Sequence, residues 1–166
     1  MRRAVCPGSF DPVTNGHLDI FERASLMFDE IIISVFVNPL KDQAMFSMEE
    51  RVAMIKEATK HIPNAKVTCF SGLLNDFCKE QKANFIVRGL RAFSDFEYEF
   101  QRALLIKKID RDLETVFIMT NAKYSYLSSS SIRELAYFGG SIKGLVPSCI
   151  EDAIKKHKQI QKADKN

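Results

Sequence analysis

A chain of 166 residues, 46% of them hydrophobic and 27% charged, has the size and composition of one soluble globular domain. Its net charge of +3 is too small to indicate a nucleic-acid or membrane partner, and no apolar run reaches the ~18 residues that a membrane-spanning helix needs. There is no signal-peptide pattern, and the four cysteines (Cys6, Cys69, Cys78 and Cys149) lack metal-ligand spacing. We therefore expect reduced thiols in a cytoplasmic protein.

Short apolar runs rich in β-branched residues alternate with helical patterns along the chain. The runs occupy residues 4–6, 31–37, 66–70, 85–87 and 115–119. Apolar residues at helical spacing predict helices over 17–28 and 48–62, the second opened by a capping box from Ser47 to Glu50. A second capping box begins at Ser94 and predicts a helix to about Asp110.

Two more helices complete the predicted pattern. One follows the serines at 128–131 and ends at Gly139 and Gly140, and Pro147 opens the last. Alternating strands and helices predict an α/β domain, with a doubly wound, five-stranded parallel sheet covered by helices on both faces. We place this single domain at residues 1–160 and expect a frayed, basic tail at 161–166.

The loop after the first strand, residues 7–17, has the sequence PGSFDPVTNGH. Gly8 and Gly16 are expected to adopt backbone conformations closed to other residues, and Asp11 to stabilise the turn. His17 falls in the first turn of the following helix, where the dipole favours anions and a neutral imidazole that still donates one hydrogen bond. An ordinary strand-to-helix connection with a capping histidine would leave the same pattern.

Three later segments also carry groups that bind anions. Lys41 follows the second strand, Arg88 and Arg91 flank a tight turn after the fourth, and serines 128–131 follow the fifth. Each has a plain alternative: a solvated lysine, surface arginines, or N-capping serines. Because ligands of such sheets bind beyond the carboxyl ends of the strands, we expect all four segments to face one anion-binding crevice.

Several motifs together resemble one known family. SFDPVTNGH at 9–17, Lys41, RGLR at 88–91 followed by DFEYE at 95–99, and the late serine run are similar to the phosphopantetheine adenylyltransferases of bacterial coenzyme A biosynthesis. The resemblance covers residues 2 to 155. The Gly-His pair alone would indicate only the nucleotidyltransferase superfamily, whereas RGLR with DFEYE at this spacing is far more specific.

The resemblance implies a fold, an activity and an assembly. The fold would be a Rossmann-like α/β domain that forms a homohexamer. The activity would be transfer of AMP from ATP to 4′-phosphopantetheine, with Mg²⁺, giving dephospho-coenzyme A and pyrophosphate by direct in-line attack. The attacking phosphate oxygen is already anionic, so no general base is required, and catalysis depends on alignment and preset positive charge. The motifs contain no metal cage, so Mg²⁺ would arrive on the nucleotide phosphates.

The resemblance also implies roles for individual residues. His17 would hydrogen-bond the α-phosphate and stabilise the transition state, with Lys41, Arg88 and Arg91 as the other catalytic residues. Lys41, Arg88 and Leu74 would bind phosphopantetheine, as would Ser9, which also contacts ATP. The remaining ATP contacts would come from Phe10, Gly89, Leu90, Arg91, Glu99, Tyr124, Ser125, Tyr126, Leu127, Ser128, Ser129 and Ser130.

Two positions depart from the family pattern, and both lie on the helix opened by Ser94. Ile106 stands where relatives commonly have an asparagine, and Arg102 where they often have an apolar residue. The same helix is apolar most of the way round, which indicates either a subunit interface or deep burial within the domain.

Other functions remain open. The chain could be a nucleotidyltransferase that acts on nicotinate mononucleotide or glycerol 3-phosphate, which RGLR with DFEYE disfavours. A class I aminoacyl-tRNA synthetase shares the Gly-His turn, but the chain has no room or charge for tRNA-binding domains. A catalytically silent nucleotide-binding module would be free to lose His17, Lys41, Arg88 or Arg91, all of which are present.

Overall fold

The computed structural model describes residues 1–36 and 44–163. The strands are β1 (Arg3–Gly8), β2 (Glu30–Phe36), β3 (Ala65–Phe70), β4 (Phe85–Leu90) and β5 (Glu114–Met119). The helices are α1 (Asn15–Met27), α2 (Met48–Ala58), α3 (Leu74–Glu80), α4 (Phe93–Ile109), α5 (Ser129–Phe138) and α6 (Ser148–Ala163), with a 3₁₀ turn at Ala122–Tyr124. The five strands form one sheet in the order β3-β2-β1-β4-β5, and every pairing is parallel. The predicted fold class is confirmed.

Successive side chains of the central strands enter two separate cores. From β1 and β2, Ala4, Ile31 and Ile33 pack with residues of α1, α2, α5 and α6. Val5 and Ile32, on the opposite face, pack with residues of α3 and with Ile106 of α4. This period of two, with apolar residues on both faces, is what a sheet covered by helices on both sides requires.

The central position of β1 creates the crevice of the fold. From β1 the chain builds β2 and β3 on one side, and it then crosses to add β4 and β5 on the other. The loops that leave β1 and β4 at their carboxyl ends therefore diverge, and ligands of such sheets bind in the gap between them.

The predicted end of α2 and the predicted start of α4 are wrong. Helix α2 ends at Ala58 rather than at residue 62, because the backbone leaves the helical conformation at Thr59 (φ −110°, ψ 9°) and the main-chain N–H of Ile62 donates to the Thr59 carbonyl in a turn. Helix α4 begins at Phe93 with an extended Ala92 as N-cap, so Ser94 lies within the first turn and is not the cap. Asp95 stabilises this start, since its carboxylate accepts the main-chain N–H of Arg91 at 3.2 Å.

Helix α1 begins two residues before the predicted 17, and α5 begins at Ser129, inside the serine run and not after it. Two local signals at helix ends agree with the structure. Ser47 and Glu50 form the expected capping box of α2, and Gly139 ends α5 with φ of 81°. Helix α6 begins directly after Pro147 and continues to Ala163, beyond the predicted domain end at residue 160; residues 164–166 lie outside the described part of the chain.

None of the described helices is both long and apolar enough to cross a membrane. All four cysteines are free, as predicted.

Candidate active site

A cavity of about 480 Å³ opens at the carboxyl ends of β1 and β4. This volume lies within the ~300–1,000 Å³ typical of small-molecule sites. Most residues predicted for the site line it, namely Ser9, Phe10, His17, Arg88, Gly89, Arg91, Glu99, Tyr124, Leu127, Ser128, Ser129 and Ser130. The expectation of a single crevice for the first loop, the arginines and the serine run is confirmed.

Five predicted site residues are not among those that line the cavity. The Leu90 side chain is buried, Tyr126 is exposed to solvent, and Ser125 lies in the segment after the 3₁₀ turn. Leu74 lines a small neighbouring cleft that shares Arg88 and Glu99 with the main cavity. Lys41 lies outside the described residues.

The cavity also contains residues that the sequence did not single out. These are Cys6, Thr14, Asp95, Tyr98 and Thr120, together with several apolar residues. Asp95 could have been predicted from the sequence, because it lies four residues after Arg91 and opens the DFEYE segment. Such a spacing lets a carboxylate and a guanidinium meet on one helical turn.

The first loop is shaped by the ring of Phe10, and the expected role of its glycines is wrong. Neither Gly8 nor Gly16 has positive φ; the residue in the left-handed region is Phe10, with φ of 46°. A Cβ atom at position 8 would lie 2.6 Å from the Phe10 ring. Gly8 is thus required for close approach of that ring, whose edge contacts the imidazole of His17 at a centroid distance of 5.2 Å.

His17 is fixed by a capping box at the start of α1. The Thr14 hydroxyl accepts the main-chain N–H of His17, and Nδ1 of His17 accepts the main-chain N–H of Thr14 at 3.0 Å. Because Nδ1 is an acceptor, the proton of the neutral ring is on Nε2. Burial, followed by the positive charges of Arg91 and Arg88, lowers the pKa of His17 to about 4. At neutral pH His17 is therefore an uncharged donor through Nε2–H.

The predicted tight turn between Arg88 and Arg91 is wrong, because β4 continues to Leu90 and Arg88 lies within it. From there Arg88 bridges two parts of the site. Its Nε and Nη2 donate to the two carboxylate oxygens of Glu99 at 2.8 and 2.5 Å, and Nη1 donates to the Pro7 carbonyl at 2.6 Å. The Glu99 carboxylate is largely buried. Glu99 therefore orients Arg88 from α4, and the Arg88 bond to Pro7 ties β4 to the end of β1.

Arg91 joins α4 to the serine segment. Its Nε and Nη2 donate to Asp95 at 3.0 and 3.3 Å, and Nη1 donates to the Leu127 carbonyl at 2.9 Å. This second arginine thus has the same pattern of partners as Arg88: one carboxylate from α4 and one main-chain carbonyl.

The serine run begins α5 at the rim of the cavity. Ser128 is the N-cap, and its hydroxyl accepts the main-chain N–H of Ser131 at 3.0 Å. The Ser129 hydroxyl donates to the Pro12 carbonyl at 2.8 Å, which attaches the helix to the first loop. N-capping is thus confirmed for Ser128, and the first residues of this helix line the cavity.

Asp11 stabilises the loop from inside, in agreement with its predicted structural role. Its buried carboxylate accepts the main-chain N–H groups of Met45 and Phe46 at 2.8 and 3.0 Å and lies 3.7 Å from Arg133. The first loop, the segment before α2 and helix α5 are therefore held together at one carboxylate.

Cys6 lines the cavity but is buried. Burial raises the pKa of its thiol to about 12, against a smaller lowering by the charge of Arg88. Such a thiol is not a nucleophile at neutral pH. Among the described residues, no group of three or more His, Cys, Asp or Glu side chains could hold a metal ion.

The two departures from the family pattern both line the small neighbouring cleft. Ile106 packs against the second core, and the Arg102 guanidinium lies 5.7 Å from the centroid of the Tyr98 ring. Tyr98 lines the main cavity. The unusual residues therefore lie beside Leu74, on the side predicted for phosphopantetheine.

Comparison with known proteins agrees with this fold and site. Residues 5–135 match the family model described as cytidylyltransferase-like, which gives the class of the protein. A solved Vibrio parahaemolyticus structure, assigned as a nicotinate-nucleotide adenylyltransferase, has a TM-score of 0.70 at 16% identity and covers 93% of this chain and 99% of that one. At this identity the likeness shows the fold alone.

Curated relatives narrow the class to one family. Phosphopantetheine adenylyltransferases of Clostridium botulinum (strain 657 / Type Ba4) and Clostridium tetani (strain Massachusetts / E88) are each 59% identical to this chain over 94% of its length, and the matches cover 94% and 98% of theirs. The chain belongs to the phosphopantetheine adenylyltransferase family, as its motifs predicted.

Proposed function

We propose that this chain transfers AMP from ATP to 4′-phosphopantetheine, giving dephospho-coenzyme A and pyrophosphate. The observation that carries the proposal is the convergence of the neutral donor His17 with Arg88 and Arg91 at one cavity, in a chain of this family. These groups suit a reaction in which every reacting group is a phosphate.

In the proposed reaction, a phosphate oxygen of phosphopantetheine attacks the α-phosphorus of ATP in line. The new P–O bond forms as the bond from the α-phosphorus to the bridging oxygen breaks, and pyrophosphate leaves with the electron pair. Negative charge grows on the non-bridging α-phosphate oxygens in the transition state. His17 donates Nε2–H to one of these oxygens and transfers no proton.

The two arginines serve the two substrates. Arg91, next to the serine helix, binds the ATP phosphates together with the amides and hydroxyls of Ser128–Ser130 and the main chain of Gly89 and Leu90. Arg88, next to the cleft of Leu74, binds the phosphate of phosphopantetheine with Ser9 and Lys41. Glu99 acts beside the nucleotide through the guanidinium of Arg88, and Phe10 shapes the loop that contacts ATP.

Residues 124–127 complete the nucleotide side of the site. Tyr124 and Leu127 line the cavity; with Ser125 and the exposed Tyr126 they form the segment that wraps the adenine.

Mg²⁺ would reach the site with ATP. Among the described residues, the carboxylates that line the cavity are Asp95 and Glu99, and both are paired with arginines, which does not suit a protein cage. The cavity fits a magnesium ion bound to nucleotide phosphates and water, and the ion would neutralise charge on the leaving pyrophosphate.

The active protein is proposed to be a cytoplasmic homohexamer. Among the described side chains of α4, six apolar ones are between 41 and 62% exposed in the single chain: Phe96, Tyr98, Phe100, Leu104, Leu105 and Ile109. Burial within the domain, one of the two explanations for this apolar helix, therefore does not hold for them. Exposed apolar surface of this kind is typical of an interface between subunits.

The direct test is pyrophosphate release from ATP and Mg²⁺ by the purified protein. We expect release with 4′-phosphopantetheine and none with nicotinate mononucleotide, or with glycerol 3-phosphate and CTP. This result would also show that Ile106 and Arg102 are compatible with the pantetheine arm. Release with another acceptor, or ATP binding without any turnover, would overturn the proposal in favour of a different transferase or a silent module.

A further inference from the structure

Arg88 and Arg91 are oriented by carboxylates one helical turn apart on α4. Each guanidinium donates through Nε and Nη2 to its carboxylate, Glu99 or Asp95, and through Nη1 to a main-chain carbonyl. A guanidinium has five N–H groups. In the described part of the chain, this pattern leaves one N–H on each terminal nitrogen of both arginines.

The hydrogens of Nη1 and Nη2 that face away from Nε form a parallel pair that matches two oxygens of a single phosphate. This pair is available to a phosphate when the main-chain carbonyl accepts the other Nη1 hydrogen. A carboxylate on the Nε edge leaves this pair available and restricts rotation of the guanidinium. The carboxylate therefore supports phosphate binding and does not block it.

Asp95 holds Arg91 both at its main chain and at its guanidinium. Its Oδ2 atom accepts both the side-chain Nε–H of Arg91 at 3.0 Å and the main-chain N–H of the same residue at 3.2 Å. One carboxylate that lines the cavity thus holds both the main chain and the guanidinium of Arg91. We infer that Asp95 is the positioning residue that aims Arg91 at the phosphates of ATP, an inference that rests on the proposed function.

Charge and position predict opposite effects of removing Asp95 on the affinity for ATP. Asp95 places a negative charge near the site of a polyanion, so its removal should strengthen ATP binding if position did not matter. If Asp95 positions Arg91, its removal should weaken ATP binding, because the freed guanidinium loses the orientation that a paired contact needs. The sign of the change in ATP affinity separates the two effects.

The test uses Asp95→Asn, which has the same shape and keeps one oxygen to accept the Arg91 main-chain N–H. We expect KM for ATP to rise ~10-fold, with kcat and KM for 4′-phosphopantetheine within ~3-fold of wild type, as for a group that binds ground and transition states alike. The matched control is Asp112→Asn, the same chemical change at an exposed residue away from the cavity, and it should leave all three constants unchanged. An unchanged or lower KM for ATP in Asp95→Asn would overturn the inference.

A double-mutant cycle separates positioning from a merely structural role. In an Arg91→Ala background, Asp95→Asn should cause no further loss of ATP affinity, because the residue through which it acts is gone. Thermal unfolding of all variants reports any loss of the helix start. A full additional loss in the double variant would show that Asp95 acts independently of Arg91, which contradicts the inference.

Calorimetric titration measures ATP affinity without the acceptor substrate, so it tests the role of Asp95 independently of the proposed reaction. If wild type binds ATP but releases no pyrophosphate with phosphopantetheine, the proposed function fails. Weaker ATP binding by Asp95→Asn than by wild type and Asp112→Asn would still support the positioning of Arg91. Equal or tighter binding would overturn it whatever the acceptor substrate is.

Discussion

The two ring nitrogens of His17 have different roles: one stabilises the start of helix α1, and the other is left to bind a ligand. Nδ1 accepts the main-chain N–H of Thr14, so Nε2–H is the donor left for a ligand. We predict that His17→Ala lowers turnover by ~10²-fold or more and changes ATP affinity by less than roughly tenfold, since such a donor acts mainly on the transition state. Steady-state rates and calorimetric ATP titration measure the two effects, and near-normal turnover would remove His17 from the mechanism.

His17 also makes stability depend on pH. Its pKa is about 4 in the folded protein against 6.5 for an ordinary histidine. Between these values the unfolded chain binds a proton that the folded protein does not, so stability falls as pH is lowered through this window. The melting temperature of wild type should therefore fall more steeply than that of His17→Asn from pH 7 to pH 4.5, with a constant difference above pH 7. Parallel curves would contradict the lowered pKa.

At the scale of single residues, the sequence predicted the identity of the site better than its geometry. The residue pattern predicted His17 at a helix N-terminus and indicated Arg88 and Arg91 as anion-binding groups, whereas their catalytic roles were implied by the family resemblance. That Phe10 takes the left-handed conformation could not be predicted, because it depends on the packing of its ring over Gly8. The partner of Arg91 could have been predicted, because Asp95 follows it by four residues.

At the scale of elements, three segments meet at the carboxylate of Asp11. We predict that Asp11→Ala destabilises the protein by ~2–4 kcal/mol, because the N–H groups of Met45 and Phe46 lose their acceptor at a buried position. For a domain of this size the melting temperature should fall by about 5–15 °C. Asp112→Ala, which removes an exposed carboxylate, should leave it within about 2 °C. A similar melting temperature for both variants would show that Asp11 does not hold these segments.

Element boundaries were predictable where a local signal decides them. The Ser47 capping box and the glycine that ends α5 are local, and both are found. The start of α4 was misplaced because the Ser94 pattern satisfies the capping rule in sequence, whereas Asp95 reaches back to Arg91 and the helix begins earlier. Both the Ser94 pattern and the four-residue spacing of Arg91 and Asp95 are visible in the sequence, and no local rule decides between them.

At the scale of the whole molecule, the exposed apolar face of α4 predicts assembly. We expect light scattering to give a particle six times the mass of the 18.9-kDa chain. Replacing Leu104 and Leu105 together by Glu should dissociate it, because two charges would be buried in an apolar interface. Leu26→Glu, at an exposed leucine of α1, serves as the control and should keep the wild-type mass. A monomeric wild type, or a Leu104/Leu105 variant of unchanged mass, would contradict this interface.

The fold class could be predicted from the sequence because strands and helices alternate along the chain. Alternating strands and helices predict a parallel sheet, and the two-faced apolar pattern of β1 and β2 predicts helices on both sides. The size of the cavity and the pairing of its charges depend on side-chain positions beyond the strand ends, which no pattern specifies.

The buried thiol of Cys6 has a consequence for chemical probes of this pocket. A cysteine that lines a ligand cavity is a common target for electrophilic fragments that bind covalently. With a pKa of about 12, however, on the order of one Cys6 in ten thousand or fewer is a thiolate at pH 7.5. Cys69, which is exposed on β3, would take up such reagents first. Covalent screens therefore need a Cys69→Ser background, and Cys6 is a poor target for electrophiles in this cavity.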